Sequence, residues 1–197
     1  MAKHQGLVVV DAWDYDAYIK KRNKIPYSLE CAKDCEKFSI FLNRVCERER
    51  AKGTTIIFDI GFNKLIDTIT INEKTDLILP HMYENNYMNI IQKRKINELY
   101  FCGFHFGLCI HDRIASVSES TYYKRMVSSR KSKLGVVINL SLLLPASNNS
   151  SNHLETFKIN FERFHKPNNL RYKPDHAWDY YLWSPNCEFE KINIGFP

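Results

Sequence analysis

The residues of this chain best suited to chemistry lie in one stretch, Leu99-Tyr-Phe-Cys-Gly103-Phe-His-Phe-Gly107-Leu-Cys109-Ile-His-Asp112. It reads as a buried strand that ends on a glycine, then a short turn, then a cysteine where a helix begins. A thiol in that place sits among helix-start N–H groups and at the positive end of the helix dipole, and both favour thiolate over thiol. The amides of Gly107, Leu108 and Cys109 are candidates for an oxyanion hole, and Gly107 lets the backbone approach a bound molecule closely. Asp11, which closes the apolar run Leu7-Val-Val-Val, is the second reactive candidate. Open α/β sheets form their sites at the carboxyl ends of strands. If the strands ending at Asp11 and Gly103 are neighbours, a carboxylate and a thiol face one crevice. The carboxylate can then take a proton from the thiol or from an attacking water. By position alone, Trp13, Tyr15 and His105 are candidates to line the pocket.

The elements that must hold these groups follow from the hydrophobic pattern. Leu7-Val-Val-Val is a continuous apolar run, as a central parallel strand requires. Ser28 can cap a helix running to about Lys52, with Cys31, Cys35, Phe38, Leu42 and Val45 on one face and Gly53 as its stop. Strands are expected at Thr54–Asp59, Leu77–Pro80, Asn97–Gly103 and Gly135–Leu140. Helices are expected at Glu84–Lys95 and Leu108–Val127. Strands alternating with helices predict an α/β fold, three layers deep, with a mainly parallel sheet. Residues 1–146 are read as this domain. Residues 147–197 are read as an aromatic-rich C-terminal extension, a loop and β-arm packed on the domain or on a partner subunit. In it, Phe157–Phe161 and Phe189–Ile194 alternate like strands.

Composition narrows the function classes. The 197 residues carry 28 Lys and Arg against 22 Asp and Glu, a formal charge of +6 spread over short clusters such as Lys20-Lys21-Arg22. Such clusters read as solvated surface, and no nucleic-acid-binding module is recognisable. No apolar run approaches the roughly 20 residues of a membrane helix, and Asp11 interrupts the N-terminal apolar run, so a cytoplasmic location is expected. The six cysteines contain no CxxC pair, which argues against a structural zinc site.

The order of these motifs resembles the isochorismatase-like cysteine hydrolase superfamily. The resemblance rests on Leu7-Val-Val-Val-Asp11, the long helix ending at Gly53, Thr55-Ile-Ile-Phe, and above all Ile96-Asn-Glu-Leu-Tyr-Phe-Cys-Gly103 followed six residues later by Cys109-Ile110. It spans roughly residues 7 to 140. It implies a hydrolase acting on an amide or related C–N bond of a small molecule, or on the vinyl ether of isochorismate. Cys109 would be the nucleophile, Asp11 the general acid/base and a lysine the third member, and the protein would form a homo-oligomer. For the lysine the aligned region, Glu73-Lys74-Thr-Asp-Leu-Ile-Leu-Pro80-His81, leaves Lys74 or His81. The family's usual threonine four residues after the cysteine is Arg113. The metal-binding Asp-x-His pattern of nicotinamidases is missing after Asp59, so neither metal nor other cofactor is expected. Trp13, His105, Gly107 and Leu108 are the expected substrate-binding residues. These departures leave a second reading open, a non-catalytic binding or assembly protein on the same fold with a degenerate triad.

Overall fold

The apolar run at the N-terminus forms strand β1 (Gln5–Val10), whose residues from Gly6 onward are all buried. The computed structural model describes residues 4–12, 29–60, 65–79, 84–104, 109–110, 113–114, 117, 133–141 and 179–193. In chain order the elements after β1 are α1 (Leu29–Ala51), β2 (Thr55–Asp59), β3 (Leu77–Leu79), α2 (Glu84–Arg94), β4 (Glu98–Gly103), β5 (Lys133–Ser141), β6 (Asp179–Trp183) and β7 (Phe189–Ile192). Cys109, Ile110, Arg113, Ile114 and Val117 also have helical backbone.

Among the described residues the strands form one seven-stranded sheet in the order β3-β2-β1-β4-β5-β6-β7. Every neighbouring pair is parallel except β6 and β7. The alternation of β1 side chains across the pleat divides the core in two. Leu7 and Val9 pack with Leu42, Val45 and Cys46 of α1 on one face. Val8 and Val10 pack with Tyr87 and Ile91 of α2, and with Ile110, Ile114 and Val117, on the other. This is the expected three-layer α/β arrangement. The spacing of Ile110, Ile114 and Val117 sets their shared buried stripe.

Helix α1 ends as its sequence requires. Gly53 has φ +84°, its N–H donates to the Arg50 carbonyl (2.8 Å), and the Thr54 N–H donates to the Glu49 carbonyl (3.0 Å). Together these bonds form a Schellman cap. Helix α2 closes on the same pattern, with Lys95 at φ 53° in the place usually given to glycine and Ile96 N–H on the Ile91 carbonyl (3.0 Å).

The described part of the C-terminal extension, 179–193, adds β6 and β7 to this same sheet. Phe157–Phe161 lies outside the described residues. Strand β6, which alternation alone did not mark, is held by aromatic packing. A Cβ on Gly135 would lie 2.2 Å from the Tyr181 ring, so the missing side chain makes room for that tyrosine. Tyr181 meets Tyr100 edge-on at 5.0 Å, and Tyr100 stacks on Phe189 at 4.1 Å. Beyond Val137↔Tyr181 the Asn139 side chain replaces ladder pairing: its amide donates to the Trp183 carbonyl and its oxygen accepts the Trp183 N–H, both at 2.8 Å. Trp183 Nε1 also donates to the buried carboxylate of Glu49 (2.9 Å), which accepts from Thr54 and pairs with Lys52. Trp183→Phe removes that charge-assisted bond between hairpin and α1. It is expected to cost about 1–3 kcal/mol in urea denaturation, and a change under about 0.5 kcal/mol would contradict the bond's importance.

Candidate active site

Parallel pairing puts the carboxyl ends of β1, β2 and β4 on one edge of the sheet, with Val10 in register with both Asp59 and Gly103. Gly103 has φ +118°, and a Cβ there would lie 2.4 Å from the Val10 carbonyl oxygen and 2.6 Å from the Val10 nitrogen. Only hydrogen fits. The chain turns over the end of β1, where the Phe104 N–H donates to the Val10 carbonyl (2.9 Å), and it reaches Cys109 five residues later.

Asp11 follows β1 directly. It is buried, takes a left-handed backbone (φ 56°), and its N–H donates to the Asp59 carbonyl (2.8 Å). Aspartate tolerates this conformation better than most residues, yet still pays for it in strain, and such strain gathers at functional sites. Asp59 ends β2 and is fully buried. The Tyr87 hydroxyl of α2 donates to its Oδ2. Burial, reinforced by the Asp59 charge, pushes the Tyr87 phenol well above its usual range, so it stays a neutral donor.

Arg113 joins the two carboxylates. Its Nη2 lies 3.7 Å from Asp11 Oδ1 and its Nε lies 3.2 Å from Asp59 Oδ2. The second approach pairs the charges without a well-aligned hydrogen bond. Buried carboxylates without a counter-charge are costly, and this guanidinium supplies a counter-charge within 4 Å of both. Arg113 stands four residues after Cys109, both with helical backbone, so the two lie on the same side of one turn. Cys109 is half-buried against the apolar cluster that contains Ile110 and Ile114. Asp11 and the Cys109 segment thus meet at the carboxyl edge of adjacent strands.

Three other cysteines contrast with it. Burial raises the Cys46 thiol to about 12 and pushes Cys102 well above its usual range, and Cys35 is also buried. In the native protein iodoacetamide at pH 8 is therefore expected to alkylate Cys109 at least tenfold faster than Cys35, Cys46 or Cys102, read by peptide mass spectrometry. Equal labelling of the four would contradict this.

Of the two sequence candidates for the cation, Lys74 is displaced by the topology. It is exposed, in the turn that precedes β3, and its N–H donates to Asn72 Oδ1 (3.1 Å). Strand β3 runs parallel to β2, with Leu79 level with Asp59, so Lys74 lies at the amino edge of the sheet, opposite Asp11. Strand β3 intervenes between Lys74 and the crevice. His81, Trp13, His105, Gly107 and Leu108 lie outside the described residues. Sequence reasoning gave no role to Asp59, Tyr87 or Arg113. The signals were an acid ending a second central strand and an arginine one helical turn after the cysteine.

Solved structures with this architecture place it. An isochorismatase family protein matches with TM-score 0.51 at 13% identity, covering 79% of this chain and 91% of its own. The chain has the isochorismatase-like fold. A cysteine hydrolase from Pseudomonas syringae pv. phaseolicola (TM-score 0.51, 10% identity, 80% and 82% covered) is similar to it. So is the nicotinamidase of Staphylococcus aureus (0.50, 16%, 83% and 96%). No protein-family model and no curated protein matches the sequence. At these identities the likeness extends to the isochorismatase-like fold and not to the chemistry. None of the described helices is long and apolar enough to cross a membrane.

Proposed function

We propose that this chain is a cysteine hydrolase of the isochorismatase-like type, acting on an amide or related C–N bond of a small molecule. The observation that carries the reading is the convergence of Asp11 with the Cys109 segment at one sheet edge, through the Arg113 contact to Asp11. In the proposed reaction the Cys109 thiol gives its proton to the Asp11 carboxylate, and the sulfur attacks the substrate carbonyl carbon. The tetrahedral oxyanion is stabilised by N–H groups at the helix start. Protonated Asp11 then passes its proton to the departing nitrogen, leaving a thioester and a free amine. Water attacks the thioester, Asp11 takes its proton, and the acid leaves as the thiol is restored. For the third member the sequence resemblance leaves His81 as a candidate, with Arg113 the rival weighed below, and Trp13, His105, Gly107 and Leu108 are the proposed substrate-binding residues. The resemblance also carries the expectation of a homo-oligomer, which light scattering reads directly.

The test is release of ammonia from primary carboxamides, nicotinamide first because one similar structure is a nicotinamidase. Turnover that disappears in Cys109→Ala supports the reading. Turnover that survives the substitution overturns it. One observation favours the second reading, a non-catalytic binding protein: Arg113 ties up Asp11, the group that must move protons. That reading predicts no turnover of any amide together with a folded, oligomeric protein.

A further inference from the structure

We infer that Arg113 is the positioning cation of this site, supplied by the cysteine's own helical segment. It bridges Asp11 and Asp59 and sets the charge around Cys109. The inference rests on the proposed role of Cys109 and Asp11, but it concerns a group the sequence resemblance assigns to another element.

The argument is one of charge and reach. Asp11 comes from the end of β1, Asp59 from the end of β2, Tyr87 from α2 and Arg113 from the helical segment of Cys109. Tyr87 is neutral and a donor to Asp59, so among the described residues facing Asp11 and Asp59 the guanidinium is the positive group. Its fork reaches the two carboxylates, from Nη2 and Nε respectively. A lysine ammonium concentrates its charge at a single point on a flexible stem and is poorly suited to holding two acids apart. Residues four apart on a helix have Cβ atoms about 5–6 Å apart, so Arg113 and Cys109 project from the same side of their segment. Arginine keeps its proton at all working pH values, so it cannot carry protons in the reaction. Its role is to fix the orientation of Asp11 and offset the field of two carboxylates that would otherwise oppose thiolate formation. An arginine that cannot deprotonate thereby divides the labour: Asp11 moves the proton and Arg113 holds the charge. Exposed Lys74, on the far edge of the sheet, can do neither.

The experiment is the pH dependence of Cys109 alkylation by iodoacetamide, read at the Cys109 peptide, in the full-length protein and in Arg113→Met, Arg113→Lys and His81→Asn. Arg113→Met is expected to raise the midpoint by about one pH unit, which lowers the alkylation rate about tenfold at pH values well below it. Arg113→Lys keeps the charge and should return the midpoint to within about 0.3 unit of the parent. It loses the bridge between the acids, so kcat falls while KM stays near its parent value. His81→Asn should leave the midpoint in place. If Arg113→Met does not fold, Arg113→Gln, which removes the charge but keeps a polar side chain beside the two acids, is read in its place, and its midpoint should rise by a similar amount. An unchanged midpoint in the folded methionine variant overturns the inference. So does a lysine variant shifted as far as the methionine one, a rise produced by His81→Asn alone, or a Cys109 that does not react in the parent protein. An Arg113-dependent midpoint in a protein that hydrolyses no amide leaves the inference standing and sinks the hydrolase reading instead.

Discussion

Cys109→Ala is expected to lower kcat for amide hydrolysis by a factor of about 10⁴ or more while leaving the protein folded. Removing the sulfur removes the atom that forms the covalent bond, and no neighbouring group among the described residues offers a replacement nucleophile. The fold should tolerate the change because Cys109 is only half-buried, at the margin of the cluster formed by Ile110, Ile114 and Val117. Asp11→Asn tests the other half of the pair. It keeps the size of the side chain but cannot take the thiol proton, so a loss of about 10²–10⁴ in kcat is expected, the usual range for a general acid/base. The two losses should not add, because both groups act in the same step. A double variant no slower than Cys109→Ala alone is the expected result. Losses that multiply would separate the two residues into independent roles and remove the basis for pairing them.

Gly103→Ala is expected to be the most damaging methyl addition among the described glycines. The new Cβ would lie 2.4 Å and 2.6 Å from backbone atoms of Val10, in a residue with φ +118°. Neither obstacle can rotate away, since both belong to the main chain. Strand β1 cannot move aside either, because β2 and β4 hold it on both edges. The strain and the lost packing should cost about 3 kcal/mol or more, or roughly 10 °C in Tm for a chain of this size. Gly53→Ala is the control. Its φ is +84°, but nothing lies within 4 Å of the added carbon, so only the backbone strain remains, about 1 kcal/mol. Thermal melts followed by circular dichroism decide the matter. A Gly103 variant as stable as the Gly53 one would mean that the close approach of β4 to β1 is not needed. Because Gly103 also starts the turn toward Cys109, the same variant should lose activity below its melting point.

The central elements were legible because each rests on a local signal. The unbroken apolar run of β1 admits burial on both faces, and Cys35, Phe38, Leu42 and Val45 recur at helical spacing toward one of them. Gly53 marks the end of α1 because a left-handed residue is required there. Strand β6 was hidden for the opposite reason: Asp179-Tyr-Tyr-Leu-Trp183 shows no clean alternation, and it is held by Tyr100, Glu49 and the vacancy at Gly135, all far away in sequence. Lys74 misled because alignment measures distance along the chain, whereas β3 carries that residue to the far edge of the sheet.

By itself the sequence determined the α/β order, the thiol after the β4 glycine and the acid after β1, since periodicity, turn chemistry and strand ends are local properties. Only the tertiary structure decided which charges meet. Asp11, Asp59, Tyr87 and Arg113 come from four separate segments, and parallel pairing of β1 with both β2 and β4 brings their ends to one edge. A charge network of that kind depends on distances of 3 to 4 Å between residues up to about a hundred positions apart, which no local pattern encodes.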